Sequence, residues 1–383
     1  MASPHLRHQS SLEAILDFSP ITALAPDQRV RAKDILTRLF EYYRQSPPPS
    51  PIDPASKLQP RKYKRADLLG LVCEFAVSEQ GRDRVLRYLL TSLLDNETER
   101  QEEQNQQQQA TLDISDILTT FADFDSWDQP RKTAVAVRIE QTADNLVDHF
   151  FLPLRASGIK TPQPTPNLAS GTDILPIGTS NRLSNLRAQC LIRDHHRCVV
   201  TRHFDMSEAD SRYRRDGADA KDDGGRLLTE EKEDPMFLEV AHIIPHSLMS
   251  GSNAELSPAK KYVLQVLDMF DPGITNLING QDIDRAFNAL TLTPDMHHLF
   301  GSLHLNFEPI PDQKHTYVIR SVGPFMRSSR FPLVRTLLTA PNKTIDPPSP
   351  RLLAIHRACS MILHLSGAGN YIECVLRDED AMM

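Results

Sequence analysis

The sequence predicts an α+β protein: a helical N-terminal domain over residues 1–152, a linker at 153–180, and a mixed domain over 181–383. Three observations support this. Apolar residues before 152 recur at helical spacing. Residues 153–176 are rich in proline, glycine, serine and threonine, with little periodicity. From 238 to 301 the pattern changes to strand, loop, strand and short helix.

Taken in order, residues 11–46 read as helix in two pieces. The first is short, at 12–16. The second, after Pro26, covers 30–43 with Val30, Ile35, Leu36, Leu39, Phe40 and Tyr43 on one stripe. Prolines at 47–49 and 51 should end it as an extended, exposed segment. Residues 64–96 predict two packed helices, with Leu68, Leu69, Val72 and Phe75 before Gly81 and Val85, Leu86, Leu89, Leu90 and Leu93 after it. The tract 97–109, which contains four consecutive glutamines, has no apolar face and reads as a frayed extension or as disorder. Helical patterning resumes at 111–121 and 130–151. Nothing before 152 carries recognisable chemistry, so that region is expected to be a scaffold or partner-binding domain.

After the linker, 181–194 predicts a helix with Leu183, Leu186, Cys190 and Leu191 on one face and Arg182, Arg187 and Arg193 largely off it. A strand is expected at 198–201. Residues 206–235 mix both signs of charge and read as an exposed insertion, in which Arg212, Arg214 and Arg215 are candidate contacts to a polyanion. Residues 258–270 predict a helix closed by Asp271-Pro272-Gly273, and Asn279-Gly280-Gln281 a turn. A hairpin pairing 303–308 with 315–320 is expected to cover the site, and 324–350 to be irregular. A last helix should run over 351–365 and end at Gly367. His356 and His364 lie on it and are expected only to pack or face solvent.

Composition narrows the classes of function. With 383 residues the chain can bury two cores of ordinary size. A net charge of −7 means that any nucleic-acid contact needs a local basic patch. The five cysteines, Cys73, Cys190, Cys198, Cys359 and Cys374, are scattered and lack a Cys-x-x-Cys pair. That argues against a disulfide framework and against a cysteine-ligated zinc site, and for a reducing, intracellular compartment. Residues 1–8 lack a signal-peptide core, and no run approaches the roughly 18 apolar residues of a membrane span, so a soluble protein is expected.

The chemistry is concentrated in two motifs. Leu238-Glu239-Val240-Ala241-His242-Ile243-Ile244-Pro245-His246 suits a buried strand halted by proline. Asn288-Ala289-Leu290-Thr291-Leu292 is followed by Thr293-Pro294-Asp295, a helix start with Thr293 as candidate N-cap, and then by His297, His298 and Phe300. The ordered set His242, Asn288, His297 resembles the HNH endonuclease family. The match is to the branch that reads Ala-His-Ile-x-Pro and then Asn-x-Leu-x-Leu-x-x-x-x-His-x-x-Phe, and it covers Cys198 and residues 238–308. It looks most like the HNH domains of uncharacterised fungal proteins.

The resemblance implies a ββα-metal fold with helical additions and hydrolysis of phosphodiester bonds in DNA. It implies one divalent ion, Mg, Mn or Zn, with His242 as the general base and His297 as a metal ligand. Asn288 would either brace the base-carrying loop or join the metal shell. Many members carry an aspartate before the base histidine as a further ligand; Ala241 stands there, and Glu239 and His246 are the nearest substitutes. In the family's Cys-x-x-Thr-Gly element, Arg202 replaces the glycine. The missing aspartate and the acidic charge favour an alternative, an inactive HNH-fold binding or scaffold protein with a partner-recruiting helical domain. The intact triad favours the enzyme.

Overall fold

The computed structural model describes residues 23–48, 61–94, 113–159, 177–248, 257–322, 331–340 and 344–382. The short helix expected at 12–16, the tract at 97–109 and the middle of the linker lie outside them. Helices α1 (Pro26–Gln45), α2 (Arg65–Glu74), α3 (Glu79–Leu93), α4 (Ile114–Ala122), α5 (Gln129–Leu146), α6 (Leu152–Ile159), α7 (Ile177–Arg193) and α8 (Met206–Asp216) precede strand β1 (Glu239–His242). Next come α9 (Pro258–Phe270), the single turn α10 (Ile274–Leu277), β2 (Ala289–Leu292) and α11 (Pro294–Gly301). The chain ends with β3 (Leu305–Pro309), β4 (Thr316–Ser321), β5 (Leu333–Thr336), α12 (Pro350–Ser366) and α13 (Ala368–Met382). The architecture is α+β, with helices first and small antiparallel sheets later.

The chain divides into two compact units. Among the described residues, one takes in 23–153 with 265–272 and those from 361 onward; the other takes in 154–264 and 273–360. The segment read as a linker is helical at both described ends, in α6 and in the first turns of α7. At its N-terminal side, α5 runs on through a π-helical turn, Val147–Phe151, directly into α6, and Pro153 sits just past that turn within a continuous helical path.

In the helical unit, caps set the starts of the helices. The Ser78 side chain accepts from Gly81 N at 3.0 Å to begin α3, and Asp113 accepts from Ser115 N at 3.1 Å to begin α4. Leu39, Leu68, Leu69, Leu86, Leu89, Phe121, Ile139 and Phe150 are fully buried, as their helical spacing requires. Gly81 is needed for packing, because a Cβ there would collide with the Phe270 carbonyl, which also accepts from Val77 N at 3.1 Å. Arg29 holds the buried Asp83 through two hydrogen bonds of 2.7 and 3.0 Å.

In the other unit, β1 pairs antiparallel with β2 in the register Glu239↔Leu292 to His242↔Ala289. α11 packs on this hairpin. Thr293 sits at its N-cap without a side-chain bond, and Pro294 follows it. From α7, Leu186 and Cys190 join Val240, Ala286 and Ala289 in one core cluster. The arginines that sequence placed off this face turn inward. The fully buried Arg193 binds Asp194 and donates to the carbonyls of Ala286 and Ala289 at 2.5 and 2.9 Å, and Arg187 donates to Leu238 O at 2.7 Å. Guanidinium groups thus satisfy backbone oxygens that the short strands leave unpaired.

Three sequence expectations change here. The strand at 198–201 is a tight turn in which Arg202 adopts φ 70° and Val199 N donates to Thr291 O at 2.9 Å. The insertion at 206–235 is ordered by its own opposite charges: Arg197 binds Asp222 and Glu231, Arg212 binds Glu208 and Asp223, and both guanidiniums lie over the Phe204 ring. Residues 333–336, expected to be irregular, add β5 to the predicted hairpin. Behind α11 the hairpin contributes Phe307, whose ring meets Phe300 edge-on at 5.8 Å.

Candidate metal and catalytic centre

His242 is the last residue of β1, and the chain bends through Ile243, Ile244 and Pro245 into a 3-10 turn, His246–Leu248, that begins at His246. The loop before β2 winds through two 3-10 turns, Gly280–Asp284 and Ala286–Asn288. Gly280 takes φ 58°, and this loop delivers Asp284. Asn288, fully buried, ties the two loops together. Its Oδ1 accepts from Ile244 N at 2.9 Å, while its Nδ2 donates to Ile244 O at 3.0 Å and Ile283 O at 2.9 Å. The Asn288 amide is therefore committed to bracing the backbone.

The brace brings three donors together. His242 Nε2 lies 3.1 Å and His246 Nδ1 2.6 Å from Asp284 Oδ1, and Arg182 Nε donates to the other carboxylate oxygen at 3.2 Å. The ligand atoms of His242, His246 and Asp284 all fall within 4.8 Å of one another. Burial lowers the His242 pKa despite the opposing pull of Asp284, which keeps its imidazole neutral near pH 7. Burial pushes the Asp284 carboxyl up, but hydrogen bonds from His242 and His246 outweigh it and hold the group well below the usual carboxylate range. His242 Nδ1 is buried and has no hydrogen-bond partner among the described residues.

Glu239 and His297 form a separate pair, His297 Nδ1 to Glu239 Oε2 at 2.7 Å. The expected ligand set of His297, Glu239 and His246 is thus divided. Glu239 and His242 are three residues apart on one strand, so their side chains leave opposite faces. His246 sides with His242. The two groups remain electrostatic neighbours, since charge on His297 would depress the His242 pKa.

The expected substrate-binding arginines also separate. Arg212 is 8% exposed and donates to Glu208, Asp223 and Lys221 O, so it serves the fold. Arg214 and Arg215 are exposed in surface pairs with Asp210 and Asp216. Sequence reasoning missed Asp284 and Arg182. The available signal was that Asp284 stands four residues before Asn288, inside the loop that any bracing asparagine would have to grip.

Residues 198–308 match the family model described as HNH endonuclease. Neither the curated proteins nor the solved structures return a match.

Proposed function

With residues 198–308 assigned to the HNH endonuclease family, we propose that this domain binds nucleic acid and hydrolyses phosphodiester bonds of DNA, using one divalent cation and a histidine base. The observation that supports this best is the convergence of His242, His246 and Asp284. Two imidazoles, one of them kept neutral by burial, and a carboxylate kept ionised are what a divalent cation requires of its ligands. Two nitrogens to one oxygen favour Zn²⁺ or Mn²⁺ over Mg²⁺, which prefers oxygen. Asp284 offers the carboxylate that Ala241 cannot.

Bound there, the cation would supply Lewis acidity at the phosphate and the departing 3′ oxygen. The protein's own part is to hold the donors. Asn288 fixes both loops, and Arg182 fixes the free oxygen of Asp284 so that the other faces the histidines. Arg214 and Arg215 can exchange weak surface pairs for phosphate contacts, which gives an acidic chain a local cationic edge. Among the described residues no helix is long and apolar enough to cross a membrane.

One observation favours a second reading, a binding or scaffold module. Asp284 is already shared by two histidines and an arginine, so the cluster is complete without an ion. Plasmid cleavage in Mg²⁺, Mn²⁺ and Zn²⁺, with and without chelator, separates the two. The wild type should nick DNA only with cation, and Asp284→Asn and His242→Ala should not. Equal nicking by all three, or none by any, removes the enzyme.

A further inference from the structure

We propose that His356 is a positioning residue for His242: one water in a small cavity shared by the two rings bridges His242 Nδ1 and His356 Nδ1, and so fixes the ring and the tautomer of the strand histidine. The proposal rests on the endonuclease reading only for what His242 does with its other nitrogen.

His356 and Cys359 stand three residues apart on α12, one turn above the other. With His242, Pro245 and Gly301 they line a cavity of about 10 Å³, room for one water and no more. Both imidazoles are buried, the His242 side chain at 1% exposure and His356 at 4%. On each ring Nδ1 has no hydrogen-bond partner among the described residues, while Nε2 is engaged elsewhere. His242 Nε2 lies 3.1 Å from Asp284 Oδ1, and His356 Nε2 lies 3.0 Å from Phe300 O. Neither Asp284 nor Phe300 lines the cavity, so Nδ1 is the polar atom that each ring has left to offer it. Left dry, the cavity would strand both nitrogens with nothing to replace their hydration. The Cys359 thiol, which burial pushes up to about 12, stays protonated and is a third polar neighbour for the water.

The proton inventory of the two rings suits one water. The Phe300 carbonyl can only accept, so His356 Nε2 carries the proton and Nδ1 presents a lone pair. Burial pushes the His356 pKa down to about 4, so that lone pair is available at neutral pH. His242 must turn the lone pair of Nε2 toward a cation or toward the proton of an attacking water, and in either role Nδ1 carries the N–H. The water accepts from His242 Nδ1 and donates to His356 Nδ1. When His242 Nε2 instead donates to Asp284, the same water turns and donates to both rings. His356 is a firm anchor, since its ring lies flat on Phe300 with centroids 3.8 Å apart and its Nε2 is tied to the backbone.

The test combines a crystal structure of the full chain with Zn²⁺ calorimetry and plasmid-cleavage kinetics on the wild type, His356→Phe and Ile355→Val. His356→Phe keeps the stack on Phe300 and removes the acceptor, whereas Ile355→Val trims the same cavity wall without touching a polar atom. The wild-type crystal should show one ordered water within hydrogen-bond distance of both Nδ1 atoms. His356→Phe should weaken Zn²⁺ binding by about tenfold and lower kcat by a similar factor, while Ile355→Val stays within about twofold of wild type on both. Urea unfolding checks that both variants are folded. A cavity without water, or a His242 Nδ1 bonded to another group, overturns the bridge. So does wild-type affinity in His356→Phe, or an equal loss in Ile355→Val, which would reduce His356 to packing. A wild type that cuts no DNA in any cation removes the endonuclease reading instead, and the crystallographic water still decides the bridge.

Discussion

Asn288 grips Ile244 from both sides, accepting its N–H at 2.9 Å and donating to its carbonyl at 3.0 Å. This clamp holds the end of the motif strand against the loop that carries Asp284. Asn288→Ala leaves three buried backbone groups unpaired and should cost about 2–4 kcal/mol in urea unfolding. Because the loops separate, the same variant should also lose cation binding. Unchanged stability would show that the clamp contributes nothing.

Cation should stabilise the fold through the same cluster. Saturating Zn²⁺ at about 100 times its Kd should raise stability by about 3 kcal/mol in the wild type, and chelator should reverse this. Asp284→Asn should show little of the gain. Thermal unfolding with and without cation measures both, and an equal gain in the variant would place the ion elsewhere.

Arg202 adopts φ 70°, the left-handed region, at the position where the family pattern has glycine. Arg202→Gly and Arg202→Ala both lose the 2.6 Å bond to Thr336 O, so the difference between them isolates the backbone term. Glycine should be more stable than alanine by about 1 kcal/mol in denaturant unfolding. Equal stabilities would mean that the turn relaxes.

His356 is buried, lies flat on Phe300 with ring centroids 3.8 Å apart, and bonds to Phe300 O through Nε2 at 3.0 Å. Burial pushes its pKa down to about 4. Above the unfolded-state value of about 6.5 both states are neutral and its contribution is complete. As pH falls below that value only the unfolded state gains a proton, so stability is lost down to about pH 4, by up to about 3 kcal/mol. His356→Phe keeps the stack and removes the titration, so its unfolding free energy should fall less over this window. Parallel curves would refute the assignment.

Apolar periodicity, proline placement and capping residues made α1 to α5, the β1–β2–α11 order and the β3–β4 hairpin readable along the chain, because each is governed by near neighbours. The set His242, Asn288, His297 was visible for the same reason, as side chains at short spacing on those elements. Which of them meet depended on strand alternation and loop closure. Glu239 and His242 part to opposite faces, His246 folds back, and Asp284 arrives from 42 residues beyond His242. The inward turn of Arg193 and the ion-paired order of 206–235 likewise depended on partners distant in sequence or on carbonyls that expose no side-chain signal. Local periodicity thus determined the elements and the motif. Only tertiary closure, which satisfies buried charges and backbone oxygens across long loops, decided that His242, His246 and Asp284 meet while Glu239 and His297 pair apart from them.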